Sequence, residues 1–207
     1  MSCKINERTD RCSKKGTIDG HMCELVNNRC RKKTPKKEKK AKNPIKCKDA
    51  KCYCKKDAKI TDDYKYRYSL TRIWDNAKDK LLFIMLNPST ADYRTDDRTI
   101  QKIVRFADSW GYGGIYVGNL YAYRSTDPKI MFKLPMEERK GSENEKYLKQ
   151  LISKTEKVVY AWGNGESEPE WLKHLIKNPY VIELSKYGIP KHPLYLRKDS
   201  TLKLYRK

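Results

Sequence analysis

Residues 81–92, LLFIMLNPSTAD, end an apolar run abruptly on Asn87-Pro88, and Ser89, Thr90 and Asp92 follow at once. A second apolar run, 115–120 (IYVGNL), carries Asn119 near its end, with Tyr121, Tyr123, Arg124 and Ser125 just beyond. His192 sits between Pro190 and Pro193 in the loop 187–195, followed by Leu194 and Tyr195. An asparagine amide both donates and accepts hydrogen bonds, which suits a polar ligand edge, and histidine changes charge near neutral pH. Asp92, Asp96 and Asp97 offer a different chemistry, a magnesium cluster for phosphodiester cleavage, against their plainer use as caps where a helix starts. Asn87 and Ser89 have a plain use too, because Asn, Pro and Ser are common turn residues.

These groups need elements that bring them to one place. Six apolar residues at 81–86 read as a buried strand, which Pro88 ends because it has no N–H for the ladder. Ile100, Ile103, Val104, Ala107 and Trp110 then fall at helical spacing, with Asp96, Asp97 or Thr99 as caps and Gly111 as the stop. Residues 115–120, 157–162 (KVVYAW) and 180–184 (YVIEL) read as three more strands. Between them, Ser142 and Glu145 signal a capping box for a helix through Lys154, and Pro169-Glu170 starts a short helix to Lys177. Tyr64, Tyr66, Tyr68 and Leu70 alternate with Lys65, Arg67, Ser69 and Thr71, the pattern of a half-buried strand. It is expected to lie antiparallel beside 81–86. The fold class is therefore α/β: a central, mostly parallel four-stranded sheet with helices on both faces and an antiparallel edge strand. In open sheets of this kind ligands bind at the carboxyl ends of the strands, where Asn87, Ser89, Asp92, Asn119 and the His192 loop all lie.

The chain has 207 residues, enough for one ordinary domain and an appendage, and a net charge of +21. A polyanion is the first partner that charge suggests. Residues 1–60 hold 20 basic and 7 acidic residues, so the N-terminal part is the more basic per residue. The expected division is a basic, Cys-containing tail and linker over 1–60 and an α/β domain over 61–207. No apolar run approaches the roughly 20 residues that span a bilayer, and the N-terminus lacks the apolar core of a signal peptide. The expectation is a soluble, intracellular protein with no membrane partner.

All seven cysteines, Cys3, Cys12, Cys23, Cys30, Cys47, Cys52 and Cys54, precede residue 55. An odd count argues against a complete disulfide framework. Their gaps form no pair of CxxC knuckles, so a zinc ion in the tail is weakly supported, and no cofactor is expected in the domain. Two short units repeat, 3–15 (CKINERTDRCSKK) and 23–33 (CELVNNRCRKK), each with an Asn ahead of Arg-Cys-x-Lys-Lys. They resemble two-cysteine adaptor modules of large DNA viruses, which implies a viral or host protein partner for the tail. Residues 34–42 (TPKKEKKAK) have no apolar anchor and read as a disordered linker, a solvated charge run or a phosphate-binding patch.

TRIWD (71–75), FIMLNPSTAD (83–92), WGYGG (110–114), NLYAYRSTDP (119–128), AWG (161–163) and GIPKHPLYL (188–196) resemble a domain family of unknown function, number 1643, common in bacteria and phages. That resemblance spans nearly all of 64–206. A more distant one is to the uracil-DNA glycosylase superfamily, carried by the order LNP, strand-Asn, His-Pro. It implies a uracil-DNA-glycosylase-like fold, Asn87-Pro88 as the pair that positions water, Asn119 as the reader of a flipped base, and His192-Pro193 as the leaving-group loop. Leu86 and Ser89 stand where glycines usually flank the first motif, and no serine follows His-Pro, so the target base is left open.

Breaking an N-glycosidic bond builds positive charge on the sugar and negative charge on the base, so it needs a placed water and a donor to that base. The resemblance gives Asn87 and His192 these catalytic roles. Pro88, Ser89, Asp92, Asn119, Tyr121, Arg124, Leu194 and Tyr195 are the substrate-binding candidates, with Leu194 or Tyr195 as the apolar wedge that fills the vacated stack. The leading expectation is a DNA-base N-glycosylase, with nucleic acid, DNA first, as partner and the cytoplasm, a viral factory or the nucleus as its place. The competing one is a non-catalytic nucleic-acid-binding adaptor that works through its basic tail.

Overall fold

The computed structural model describes residues 53–206 and the backbone alone of 17–18, 21–26 and 29–32. The chain divides into two compact units, Met1–Pro44 and Ile45–Lys207. In the first, β1 (Thr17–Ile18), β2 (His21–Val26) and β3 (Arg29–Lys32) pair antiparallel in that order. Cys23 stands opposite Lys32 and Leu25 opposite Cys30, so the second cysteine unit coincides with a strand pair. The readings made on Cys3, Cys12, Cys47 and Cys52, on the side chains of Cys23 and Cys30, and on the 34–42 linker lie outside the described residues.

The second unit is built on seven strands: β4 (Lys55–Ile60), β5 (Arg67–Ile73), β6 (Lys80–Met85), β7 (Gly114–Asn119), β8 (Lys157–Tyr160), β9 (Tyr180–Val181) and β10 (Lys203–Leu204). Their order is β10-β9-β8-β6-β7-β5-β4. The four parallel strands expected from the sequence are its centre, but three antiparallel strands extend it, β10 beyond β9 and β5 and β4 beyond β7. Both outermost strands, KKDAKI and KL, are short or heavily charged. That composition blunts an exposed sheet edge and also hides it from any search for apolar alternation. Because β4 belongs to the sheet, the sheet begins before residue 61. β5 pairs with β7 and not with β6, whose two edges are taken by β7 and β8.

Successive residues of β6 point to opposite faces, which splits the core in two. Leu81, Phe83 and Met85 pack against α1 (Arg98–Ser109) through Ile100, Ile103, Val104 and Ala107. Leu82 and Ile84 pack on the other face, which is covered by α2 (Pro128–Phe132), α4 (Asn144–Ile152) and α5 (Glu170–Leu175), with the short α3 (Met136–Lys140) between the first two. Helices therefore cover both faces, as the sequence implied. Asp97 is the cap of α1, its Oδ1 accepting from Ile100 N at 2.8 Å. The Ser142–Glu145 capping box does not form: α4 starts at Asn144 with no side-chain cap, and Glu145 pairs instead with Lys140. Among the described residues no helix is long and apolar enough to cross a membrane.

Two arginines of β5 fix the loop between β6 and α1, Arg67 through the carbonyl of Ala91 and Arg72 through more partners. Arg72, fully buried, pairs with Asp96 at 2.6 Å and also donates to the carbonyls of Thr71, Asp92, Thr95 and Asp57. Leaving either member of such a buried pair alone costs about 3–5 kcal/mol. The loop is therefore set by the sheet before it reaches any ligand.

Candidate functional site

All four parallel strands end at one edge, and the polar residues that follow them meet there. Asn87 follows β6, Asn119 closes β7, Trp162-Gly163-Asn164 follows β8, and His192 reaches the same edge by a longer route. After β9 the chain leaves the sheet, turns through Ser185 and Ile189, and runs back so that Lys191 N donates to Glu183 O at 2.9 Å. This return, absent from the expectation of a strand out to Leu184, delivers His192 beside the ends of β6 and β8. A cavity of about 560 Å³ opens there, with Asn87, Ser89, Asn119, His192, Leu194 and Tyr195 all in its wall. That volume is within the ordinary range for small-molecule sites.

The asparagines are prepared differently. Asn87 Nδ2 donates to Ser125 O at 2.8 Å and Pro88 O at 3.1 Å, while Ser125 N returns a bond to Pro88 O at 2.9 Å. With its nitrogen spent, Asn87 keeps Oδ1 as a fixed acceptor, the group that would align a water's O–H. Asn119 is 1 % exposed, and neither Nδ2 nor Oδ1 has a hydrogen-bond partner among the described residues. A buried unpaired amide is costly, about 1–3 kcal/mol, and a native fold rarely keeps one without a reason. Here the amide belongs to a residue of the cavity wall. Its backbone is held by α4, where buried Asn144 Nδ2 donates to the carbonyls of Asn119 and Leu120, both at 3.0 Å.

His192 caps the 3-10 turn Pro193–Tyr195, its Nδ1 accepting from Leu194 N at 3.3 Å. In the neutral ring that assigns the proton to Nε2, which makes Nε2 the donor. Burial lowers the pKa of His192, and the carboxylate of Asp97 opposes that shift in part. Gly163, at φ +84°, packs against this ring's stem: a Cβ there would lie 3.1 Å from His192 Cβ. Leu194 and Tyr195 stand at the rim, 40 % and 84 % exposed, rather than packed beneath the sheet.

The other sequence candidates serve the surroundings. Pro88 is buried and offers its carbonyl to Ser125 and Asn87. Asp92 accepts from the backbone N–H of Arg94 and Thr95, and these bonds lower its pKa. Tyr121 is buried, and that burial, followed by the bond from its hydroxyl to the Glu166 carboxylate, holds its pKa well above the usual phenol value. Arg124 lines a neighbouring cleft instead. Of the three acidic residues only Asp97 caps the helix, while Asp92 closes a turn within the preceding loop and Asp96 pairs with Arg72. No group of three or more His, Cys, Asp or Glu residues placed to hold a metal occurs among the described residues.

Sequence reasoning missed Arg67. It is 3 % exposed, lines the cavity, donates from Nη1 to Ala91 O at 2.6 Å, and leaves Nε without a partner. Burial lowers its pKa to about 10, with Asp97 acting in the opposite sense, so it is cationic at neutral pH. The alternation of 64–71 had marked it as an outward-facing residue, and no local signal contradicts that. Trp162 and Asn164, also in the cavity wall, were missed as well, although AWGN ends a strand just as LNP does and that was the signal that could have found them.

Compared with known families, residues 67–194 match one described as Protein of unknown function (DUF1643). No curated protein and no solved structure matches the chain.

Proposed function

We propose that this chain, which belongs to the DUF1643 family, hydrolyses the N-glycosidic bond of a base in DNA. The observation that carries the reading is the meeting of Asn87, Asn119 and His192 in one cavity, with the Asn119 amide buried and unpartnered. The same three positions, in the same order, carry the distant resemblance to the uracil-DNA glycosylase superfamily.

Asn119 donates to and accepts from the polar edge of an extruded base, which fills both of its vacant bonds. Asn87 Oδ1 accepts from a water and turns that water's oxygen toward C1′ of the sugar. The bond from C1′ to the base nitrogen breaks, its electron pair leaves with the base, and the water oxygen bonds C1′. The proton released by the water ends on the departing base, giving a free base and an abasic sugar. Negative charge on the base meets the Nε2–H of His192 and the buried cation of Arg67, donors that are in place before the charge forms. A base that fills the cavity would displace water from these groups and so strengthen the interactions.

Full-length protein incubated with duplex and single-stranded DNA carrying a panel of normal and modified bases should leave alkali-labile abasic sites at one class of base. Asn87→Ala and His192→Ala should each reduce the rate about 10²-fold or more, the usual scale for acid–base groups. Binding without abasic sites on any member of the panel would reject hydrolysis and return the protein to the adaptor reading.

A further inference from the structure

A second cleft of about 430 Å³, bounded by Tyr64, Tyr123 and Arg124, shares Ser89, Ser125 and Thr126 with the main cavity. Tyr64 is the one described non-glycine residue with positive φ, at 58°, and its ring is 65 % exposed. A bulky side chain in that region is a genuine outlier, maintained only where the surroundings enforce it. They do so here: Tyr64 N donates to Thr61 O, Thr61 N donates to Tyr66 O, and Thr61 Oγ1 accepts from Tyr66 N. Glycine would suit the backbone better, yet the chain spends this turn on holding an aromatic ring out in solvent. Arg124 stands over the ring with its guanidinium carbon 5.9 Å from the centroid, anchored by Nη1 to Tyr64 O at 3.3 Å. Its Nε is buried and has no partner among the described residues.

We propose that this cleft binds the nucleotide adjoining the one whose base enters the main cavity, with Tyr64 stacking on its base and Arg124 holding its phosphate. The substrate is then a single strand, or a strand splayed open, read at two adjoining subsites. This rests on the reading of the main cavity as a base site. Stacking on an exposed aromatic ring accepts any base, so the second subsite adds affinity without choosing sequence. The hydroxyls of Ser89 and Thr126 on the shared rim would line the sugar-phosphate path between the two, where neutral donors and acceptors suit a backbone, while the Ser125 hydroxyl is held by Asp127 in its own turn.

The test compares thymidine 5′-monophosphate with 5′-phosphorylated dithymidylate on the full chain at one salt concentration. Wild-type protein should bind the dinucleotide about tenfold or more tightly, and Tyr64→Ala and Arg124→Gln should each cut that gain to about threefold or less, with the mononucleotide unaffected. Tyr64→Phe should keep the gain. Tyr64→Gly should lose it while raising Tm, since it relieves the backbone. An unchanged gain in Tyr64→Ala overturns the proposal. So does a wild type that shows no gain while its mononucleotide affinity depends on Asn119, and then the main-cavity reading stands alone. A mononucleotide affinity indifferent to Asn119→Ala, for thymidylate and for the other deoxynucleoside 5′-monophosphates alike, overturns both.

Discussion

His192 titrates against its surroundings, and the sign of the effect can be read in solution. Because burial lowers its folded pKa, the unfolded chain takes up a proton below the ordinary value of about 6.5 while the folded chain still refuses it. Stability should therefore fall as pH drops from about 6.5 to the lowered folded value, and level off below that. Thermal melts across this range should show a steeper loss for wild type than for His192→Gln, and parallel curves would mean that the ring is not held neutral. Leu194 and Tyr195 give a second test at the same scale. Both stand exposed at the rim, so Leu194→Ala and Tyr195→Ala should leave Tm nearly unchanged. If one of them wedges a base stack, its variant should lose more activity on duplex than on single-stranded DNA, where no stack must be opened. Equal loss on both substrates would remove the wedge role and leave Asn87, Asn119 and His192 untouched.

At the scale of elements, α4 sets the position of Asn119. Asn144→Ala would strip the buried carbonyls of Asn119 and Leu120 of their shared donor at a cost of about 1–3 kcal/mol. Nucleoside affinity should drop with it, by more than in the equally destabilising Leu151→Ala, which lies on the same helix away from the cavity; a matched loss would deny α4 any positioning role. The four central strands were legible because burial on both faces makes them short, nearly unbroken apolar runs, and α1 because its apolar residues follow the helical period. Asn87, Asn119 and His192 were legible because strand ends in parallel sheets collect polar residues. The rest was hidden for physical reasons. β4 and β10 are edges whose charges mask any alternation. β5 is interior, with Arg67 and Thr71 buried where its pattern promised a wet face and Arg72 buried just beyond the residues that pattern covered. Arg72 can be there because Asp96 and four carbonyls, all distant or unremarkable in sequence, surround it. Asp92 and Tyr121 share the right segments with the site, yet Asp92 closes a tight turn of the loop and Tyr121 bonds Glu166, which spacing alone does not reveal.

Over the whole molecule, charge is the feature that does not depend on the cavity. Residues 1–60 carry 20 basic against 7 acidic groups, but β4 falls within them, so a truncation that tests the tail should stop at residue 44. DNA affinity should fall steeply with salt, with a slope of about −0.9 per phosphate contacted, and removal of 1–44 should flatten it. An unchanged slope would mean that the tail is no electrostatic anchor. That result would still leave the cavity to be judged by itself, and the side-chain amides offer the direct view. Full-length protein labelled with ¹⁵N, titrated with a panel of unmodified and modified deoxynucleosides, reports Asn119 and Asn87 through their NH₂ signals and His192 through its ring nitrogens. If one base site joins them, at least one nucleoside will move all three along a single saturation curve, with Nε2 of His192 remaining the protonated nitrogen. A panel that moves none of them, or moves Asn119 without Asn87 and His192, would contradict the claim that these residues form one site for a nucleobase.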